Sequence, residues 1–174
     1  NKVLLSAEGC IMAKSAIEKT NVMRLLDQKK VAYTPHTYPH GDDAVDGVTV
    51  AQMTGMDPAK VFKTLVARGA SKTPYVFVIP VACELDLKKA AKAVGEKSIA
   101  MLHVSELTAL TGYVRGRCSP VGMKKQLRTV FASQALAQET ILVSAGKIGY
   151  QVEVAPQALI ALVRAATAEL TIES

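Results

Sequence analysis

A lysine in an apolar strand and two glycine-rich loops are the parts of this sequence that could carry chemistry. The apolar run Val61–Val66 predicts a strand that is buried on both faces, with Lys63 on the same face as Val61 and Leu65. A lysine in such a strand either extends to water from the strand end or points into a cleft that receives an anionic or ester group.

The two glycine-rich stretches indicate close approach between backbone and ligand. The first runs from Gly112 to Gly122 and has a basic flank, and the second runs from Ser144 to Gly149 and contains Lys147. Glycines allow backbone N–H groups to approach a carbonyl or phosphate oxygen closely. Together with Lys63, these loops predict an oxyanion-binding cleft, but they do not identify the reaction.

Other kinds of site find little support in the residue spacing, and we predict neither a metal nor a cofactor. His36 and His40 are separated by a proline, which precludes the helix that would bring them together on zinc. The chain has no Gly-x-Ser-x-Gly motif and no dinucleotide-binding glycine spacing. We interpret Cys83 and Cys118 as small apolar residues and not as nucleophiles.

Composition is that of one folded domain. The chain has 174 residues, of which 49% are hydrophobic, and no apolar run approaches the roughly 20 residues of a membrane span. Three widely separated cysteines predict a reducing, cytoplasmic setting. The net charge of +6 is compatible with an RNA partner and equally with ordinary solubility. We interpret residues 1–11 as a leader or N-terminal extension, and residues 12–174 as the domain.

The predicted fold is a single α+β domain with a strongly curved, mixed, barrel-like sheet and flanking helices. Six or seven strands and four or five helices are expected. The helices are predicted from Ser15 to about Lys30, from Leu87 to Val94, and from Pro156 along a stripe that reaches Ala166. Pro35 and Pro39 predict an edge strand, and residues 41–43 predict a turn.

Five blocks of the chain, taken in order, resemble the YbaK/EbsC family. They are residues 61–65, 85–92, 111–116, 119–125 and 143–147. This family comprises free-standing relatives of the editing domain of prolyl-tRNA synthetases, and the resemblance extends from about residue 15 to residue 170. It implies an aminoacyl-tRNA deacylase with an α+β fold, whose best-known members remove cysteine from proline tRNA.

The resemblance also implies roles for particular residues. Lys63 is expected near the substrate ester and the terminal ribose-phosphate, and the Gly116 N–H is expected to face the scissile carbonyl. The expected substrate-binding residues are Tyr38, Thr64, Gly112, Tyr113, Ser119, Pro120, Ser144, Gly146 and Lys147. The expected tRNA-binding residues, which are also typical of an ordinary solvated surface, are Lys88, Lys89, Lys92, Lys124, Lys125 and Arg128.

Departures from the family pattern affect the amino-acid preference more than the reaction class. Arg117 and Ala145 stand where the family has glycine, and Gln151 stands where some members have an acid. For the cysteine-specific members, the family mechanism is attack of the substrate thiol on its own ester carbonyl. The implied partners are aminoacylated tRNA, with proline tRNA first, and a prolyl-tRNA synthetase, with neither membrane nor DNA. The alternative is a non-catalytic tRNA- or nucleotide-binding regulator of the EbsC type.

Overall fold

The computed structural model describes residues 18–39 and 47–172. In these ranges the α-helices are α1 Asn21–Gln28, α2 Gly47–Thr54, α3 Leu87–Val94, α4 Val104–Thr111 and α5 Pro156–Val163. The strands are β1 Thr34–Thr37, β2 Phe62–Gly69, β3 Pro74–Pro80, β4 Ile99–Met101, β5 Arg128–Ala132, β6 Ile141–Ser144, β7 Tyr150–Val154 and β8 Ala166–Ala168. Two 3-10 helices cover Pro58–Lys60 and Ser133–Ala137.

The strands form two sheets, and the expectation of a mixed sheet is confirmed. The larger sheet has the order β4-β2-β3-β5-β8, with antiparallel pairing around β2 and parallel pairing around β5. The smaller sheet is antiparallel and has the order β1-β7-β6. An isolated parallel bridge between Val61 and Leu142 connects the two. The described strands do not close into a barrel, so the barrel-like character stays a prediction.

Local capping explains where the helices begin and end. The Asp86 carboxylate accepts hydrogen bonds from the backbone N–H groups of Lys88 and Lys89, and Gly95 ends α3 in the left-handed conformation, as predicted. In α1 the cap is Thr20, whose hydroxyl accepts from Met23 N. The predicted start at Ser15 is wrong because residues 18–20 are not helical.

The sequence prediction was correct for the edge strand β1 and wrong for the end of the last helix and for β8. The proline-containing β1 is an edge strand, as expected from Pro35. The last helix, however, ends at Val163, because Arg164 adopts a left-handed backbone with φ of 56°. Ala166 therefore belongs to β8, which the sequence analysis did not predict. The predicted turn at residues 41–43 lies outside the described residues.

Two main cores cover opposite faces of β2. Phe62 and Val66 belong to the larger core, which lies between the sheets and includes α1. Leu65 and Ala67 face the smaller core beneath α3. The predicted alternation is thus confirmed, and Lys63 lies on the Leu65 face. A third cluster around Val61 and Leu142 fills the junction of the sheets beneath α2.

The described residues contain neither a membrane-spanning helix nor a metal-binding cluster. Within residues 18–39 and 47–172, no helix is long and apolar enough to cross a bilayer. The same residues contain no group of three or more His, Cys, Asp or Glu side chains that could hold a metal ion.

Candidate active site

A gap along one edge of β2 borders a large cavity. At one end of the gap Leu102 N donates to Val66 O, at 3.3 Å, and at the other end Val61 bridges to Leu142. Between these points β2 has no paired strand on that side within the described residues. A cavity of about 880 Å³ lies against this edge, and we call it the Lys63 cavity.

Lys63 and Thr64 bring polar groups without partners to this cavity. Lys63 is partly buried, and its ammonium forms neither a hydrogen bond nor an ion pair within residues 18–39 and 47–172. The Thr64 hydroxyl is buried and likewise has no hydrogen-bond partner there. Buried polar groups are normally hydrogen-bonded, so a pair of unmatched groups in one cavity indicates a place for a polar ligand.

Gly116 lines the same cavity from a tight turn. Arg117 N donates to Val114 O at 3.0 Å, and Gly116 occupies the third position of this turn with φ of 82°. A positive φ at that position favours glycine. The Gly116 N–H makes no hydrogen bond with the described part of the chain, so it is a donor available to a ligand.

Ser144 ties the two glycine-rich loops together. Its hydroxyl donates to Arg117 O and accepts from Gly146 N, both at 3.0 Å. It also lines the Lys63 cavity. Because both hydrogen-bonding functions of the hydroxyl hold backbone in place, Ser144 fixes the position of the turn that contains Gly116.

Tyr38 and Gln151 complete the polar wall of the cavity. Tyr38 follows β1, and its backbone N–H donates to Gly149 O at 2.9 Å. Gln151 is only 6% exposed, and its side-chain oxygen has no partner within the described residues. Gln151 was expected only as a departure from the family pattern. Its place on a largely buried strand is the signal that was missed, because a buried glutamine needs a polar neighbour.

Apolar side chains form the rest of the lining. They were not predicted as site residues, and their contributions come mainly from α2, β2, β4 and α4: Val48, Val50, Val61, Phe62, Leu65, Val66, Val81, Met101, Leu102, Val104 and Leu107. Arg115, Cys118 and Tyr150 complete the wall. Such a combination of apolar walls with a few converging polar groups is typical of a small-molecule site.

Four of the expected substrate-binding residues lie at a different cavity. Gly112, Tyr113, Gly146 and Lys147 line a space of about 560 Å³ beside the N-terminus of α1, which we call the Tyr113 cavity. Two of these polar side chains have partners in the protein. Tyr113 donates its hydroxyl proton to Val121 O at 2.5 Å, and Lys147 forms an ion pair with Glu18.

Two further expected residues lie at neither cavity. Ser119 and Pro120 are both buried, and the Ser119 hydroxyl accepts from Val121 N at 3.3 Å. These contacts stabilise the glycine-rich loop from within. Contact of either residue with the substrate stays a prediction.

Cys118 lines the Lys63 cavity, but its chemistry does not favour a nucleophile. Burial raises the pKa of its thiol to about 12, although a hydrogen bond with Thr111 opposes the shift. The thiol is therefore protonated at neutral pH, and the thiolate is the form that attacks esters. Arg117 beside it in sequence does not overcome the cost of burying a thiolate.

The expected tRNA-binding residues divide into two groups. Lys89 donates to Thr171 O at 2.8 Å, and Arg128 donates to Val94 O and lies over the Tyr75 ring. The other four are exposed, and their side chains have no hydrogen bond or ion pair within residues 18–39 and 47–172: Lys88, Lys92, Lys124 and Lys125. Lys124 also lines the Tyr113 cavity.

The fold and site define an α+β protein with a cationic, amide-lined cleft suited to a carbonyl or phosphate oxygen. Residues 42–162 match the family described as "Aminoacyl-tRNA editing domain". The chain is also 46% identical over 158 residues to the Enterococcus faecalis protein named "Putative Cys-tRNA(Pro)/Cys-tRNA(Cys) deacylase EbsC", covering 91% of this chain and 96% of that one. The chain therefore belongs to the aminoacyl-tRNA editing family, and the resemblance to YbaK/EbsC proteins is confirmed.

Solved structures support the same fold. A protein described as a "putative trans-editing enzyme for prolyl tRNA synthetase" superposes with a TM-score of 0.74 at 24% identity, covering 85% of this chain and 92% of that one. Hypothetical protein APE2540 superposes with a TM-score of 0.78 at 20% identity, covering 89% of this chain and 100% of that one. At these identities the likeness supports the fold alone.

Proposed function

We propose that this protein is a trans-editing deacylase that removes a mischarged small amino acid from tRNA, with cysteine on proline tRNA as the first substrate to test. The observation that carries the proposal is a set of three polar groups at one cavity that have no partner within residues 18–39 and 47–172: the Lys63 ammonium, the Thr64 hydroxyl and the Gly116 N–H. The family match and the name of the E. faecalis relative support the reaction class.

Lys63 supplies positive charge where the substrate carries negative charge. Its ammonium is partly buried beside apolar side chains and lacks a protein counter-ion among the described residues. Desolvating a charge without a partner is unfavourable, and a phosphate or a developing alkoxide restores the missing interaction. We assign Lys63 to the terminal ribose-phosphate and to the oxygen that leaves when the ester bond breaks.

Gly116 supplies the donor for the carbonyl oxygen. In the tetrahedral state this oxygen gains negative charge, and a fixed backbone N–H stabilises it without reorganisation. The turn from Val114 to Arg117 and the Ser144 hydroxyl hold that N–H in place. Thr64, the next residue along β2, provides a second donor to the same cavity.

The nucleophile belongs to the substrate in this scheme. The cysteine thiol gives up its proton, and its sulfur attacks the carbonyl carbon of its own ester. The carbon–oxygen bond to the terminal ribose then breaks, the ribose oxygen takes a proton, and a cyclic thiolactone leaves. The high pKa of Cys118, about 12, agrees with a protein that offers no thiolate of its own.

The rest of the tRNA binds outside the cavity. A volume of about 880 Å³ accommodates the aminoacylated end and not the stem. Of the six expected tRNA-binding residues, Lys88, Lys92, Lys124 and Lys125 have side chains available for phosphates, since Lys89 and Arg128 already have contacts with protein atoms. A prolyl-tRNA synthetase in the cytoplasm is the candidate partner that would deliver mischarged tRNA.

The deciding experiment is deacylation of a panel of charged proline tRNAs by the parent protein. We expect rapid loss of cysteine, far slower loss of serine, and retention of proline, with cysteine thiolactone detected by mass spectrometry. Equal loss of cysteine and serine would replace thiol cyclisation with attack by water. Failure to release any amino acid, with tRNA binding intact, would favour the non-catalytic regulator.

A further inference from the structure

One side of the mouth of the Lys63 cavity is apolar and exposed to solvent. Met101 at the end of β4 and Val104 at the start of α4 are 45% and 54% exposed. Both line the cavity together with Leu102 and Leu107. We call these four residues the apolar shelf. Large apolar side chains are often exposed singly, but a contiguous set beside a cavity is typical of a ligand-binding surface.

The shelf is fixed to the strand that carries the reactive residues. Leu102 and Leu107 pack against the larger core, while Met101 and Val104 extend outward. Leu102 N donates to Val66 O, and Met101 is paired with Ala67. Val66 is three residues beyond Lys63, which is roughly 10 Å along a strand. A ligand held at Lys63 therefore reaches the shelf within about the length of one nucleoside.

We propose that the apolar shelf binds the terminal adenine of the tRNA. This inference rests on the proposed function, because the ester to be cleaved is attached to the ribose that carries this adenine. With the ester carbonyl near Lys63 and Gly116, the base must lie in the cavity or at its mouth. Nucleobases present apolar faces that pack on such side chains without a requirement for sequence.

The position of Arg115 agrees with this arrangement. Arg115 is exposed and lines the same cavity, so its guanidinium is available to the phosphate that precedes the terminal nucleoside. Since every tRNA ends in the same adenosine, the shelf adds affinity for the acceptor end without selecting a particular tRNA. Discrimination between tRNAs then falls to contacts outside this cavity.

Binding of 5′-AMP tests the shelf separately from catalysis. NMR titration of the parent protein with 5′-AMP and with ribose 5-phosphate measures the contribution of the base. We expect the parent to bind 5′-AMP more tightly than ribose 5-phosphate. We expect Met101→Ser to weaken 5′-AMP binding by about tenfold, so that its affinities for the two ligands become more similar. Met101→Leu should restore the preference. The matched control is Leu136→Ser, at a residue that is 47% exposed and distant in the chain.

Three outcomes would overturn the inference. The first is equal affinity of the parent for the two ligands. The second is an equal loss of affinity for 5′-AMP and for ribose 5-phosphate in Met101→Ser. The third is a loss of 5′-AMP affinity in Leu136→Ser as large as that in Met101→Ser. Val104→Ser provides a second variant if Met101→Ser fails to fold, as judged by circular dichroism. Failure of the deacylase proposal is distinguishable, because a parent that cleaves no aminoacyl ester can still show the preference for 5′-AMP.

Discussion

The Lys63 cavity and the Tyr113 cavity are lined by neighbouring parts of the same two loops, yet the expected site residues at the two cavities differ in their hydrogen bonds and ion pairs. At the Lys63 cavity the Thr64 and Gln151 oxygens have no partners within the described residues, and Lys63 has no counter-ion there. At the Tyr113 cavity the Tyr113 hydroxyl and the Lys147 ammonium are both engaged. Polar groups already satisfied by the protein stabilise the fold, whereas unsatisfied ones are available to a substrate.

Two glycines with similar backbones test this contrast most strongly. Gly116 at the Lys63 cavity and Gly112 at the Tyr113 cavity have φ of 82° and 83°. We expect Gly116→Ala to lower the single-turnover deacylation rate by about 10²-fold, because strain in the turn displaces the N–H donor. Gly112→Ala should cost about 1–2 kcal/mol of stability and leave the rate per folded molecule within a few-fold. Equal rate losses would remove the distinction between the cavities.

Removal of one hydroxyl from each cavity should give opposite effects on stability. Thr64→Val deletes a buried hydroxyl without a described partner, so we expect unchanged or higher stability and a roughly tenfold lower deacylation rate. Tyr113→Phe leaves the buried Val121 carbonyl unpaired and should cost about 1–3 kcal/mol with little change in rate. Denaturant unfolding and single-turnover kinetics measure both. Loss of stability in Thr64→Val would mean that its hydroxyl has a structural role.

Substitution of Cys118 tests whether a residue that lines the Lys63 cavity can be replaced without loss of deacylation. Burial raises the pKa of its thiol to about 12, so the thiolate is scarce at any pH where tRNA esters survive. We expect Cys118→Ser to retain the cysteinyl-tRNA deacylation rate within a few-fold, and Cys83→Ser to do the same. An inactive Cys118→Ser that folds normally would restore a protein nucleophile.

The smallest effect on turnover is expected at a third set of polar residues, which surrounds the Glu153 carboxylate and in which the charges are paired. Glu153 accepts from Thr140 and His36, and Lys60 donates to it, which together lower its pKa to about 2. A carboxylate with a lowered folded-state pKa stabilises the fold above the unfolded value of about 4.5, and that stability is lost as pH falls toward 2.

We therefore expect Glu153→Gln to lower the free energy of unfolding by about 1–2 kcal/mol at pH 7, after allowance for screening by water. The difference from the parent should shrink as the pH falls from 4.5 toward 2. The deacylation rate of the folded variant should not change. Urea unfolding across this pH range tests the prediction, and a constant difference down to pH 2 would contradict it.

Sequence predicted the elements whose ends are set by neighbouring residues. The predicted bounds of α3, Leu87 and Val94, are those of the structure, where Asp86 and Gly95 cap the helix, and Pro35 marked an edge strand. It missed β8, since an Ala-Thr-Ala strand has little intrinsic preference and forms because β5 offers a parallel partner. It also missed the division into two sheets, which depends on pairing between distant segments.

The candidate site was predicted only in part, because its shape also depends on contacts between distant segments. Lys63, Gly116 and Ser144 line one cavity, as the combination of a strand lysine and glycine loops suggested. Tyr38 and Thr64, which the family resemblance implied, line it as well. Gly112 and Gly146 lie near them in sequence, but line a different cavity. The turn at Gly116 and the Ser144 bridge separate these surfaces, and neither feature is visible in residue types alone. The apolar shelf arises from the joining of β4 to β2, which is a tertiary contact.

The central claim is that the Lys63 ammonium, which has no hydrogen bond or ion pair with the described residues, acts in the reaction. Single-turnover deacylation of cysteinyl-tRNA(Pro) by Lys63→Met, with tRNA binding measured in parallel and Lys97→Met as the exposed-lysine control, tests it most directly. We predict a rate about 10²–10³-fold below that of the parent, with a folded protein that still binds tRNA. A rate equal to that of the parent and of Lys97→Met would contradict the account.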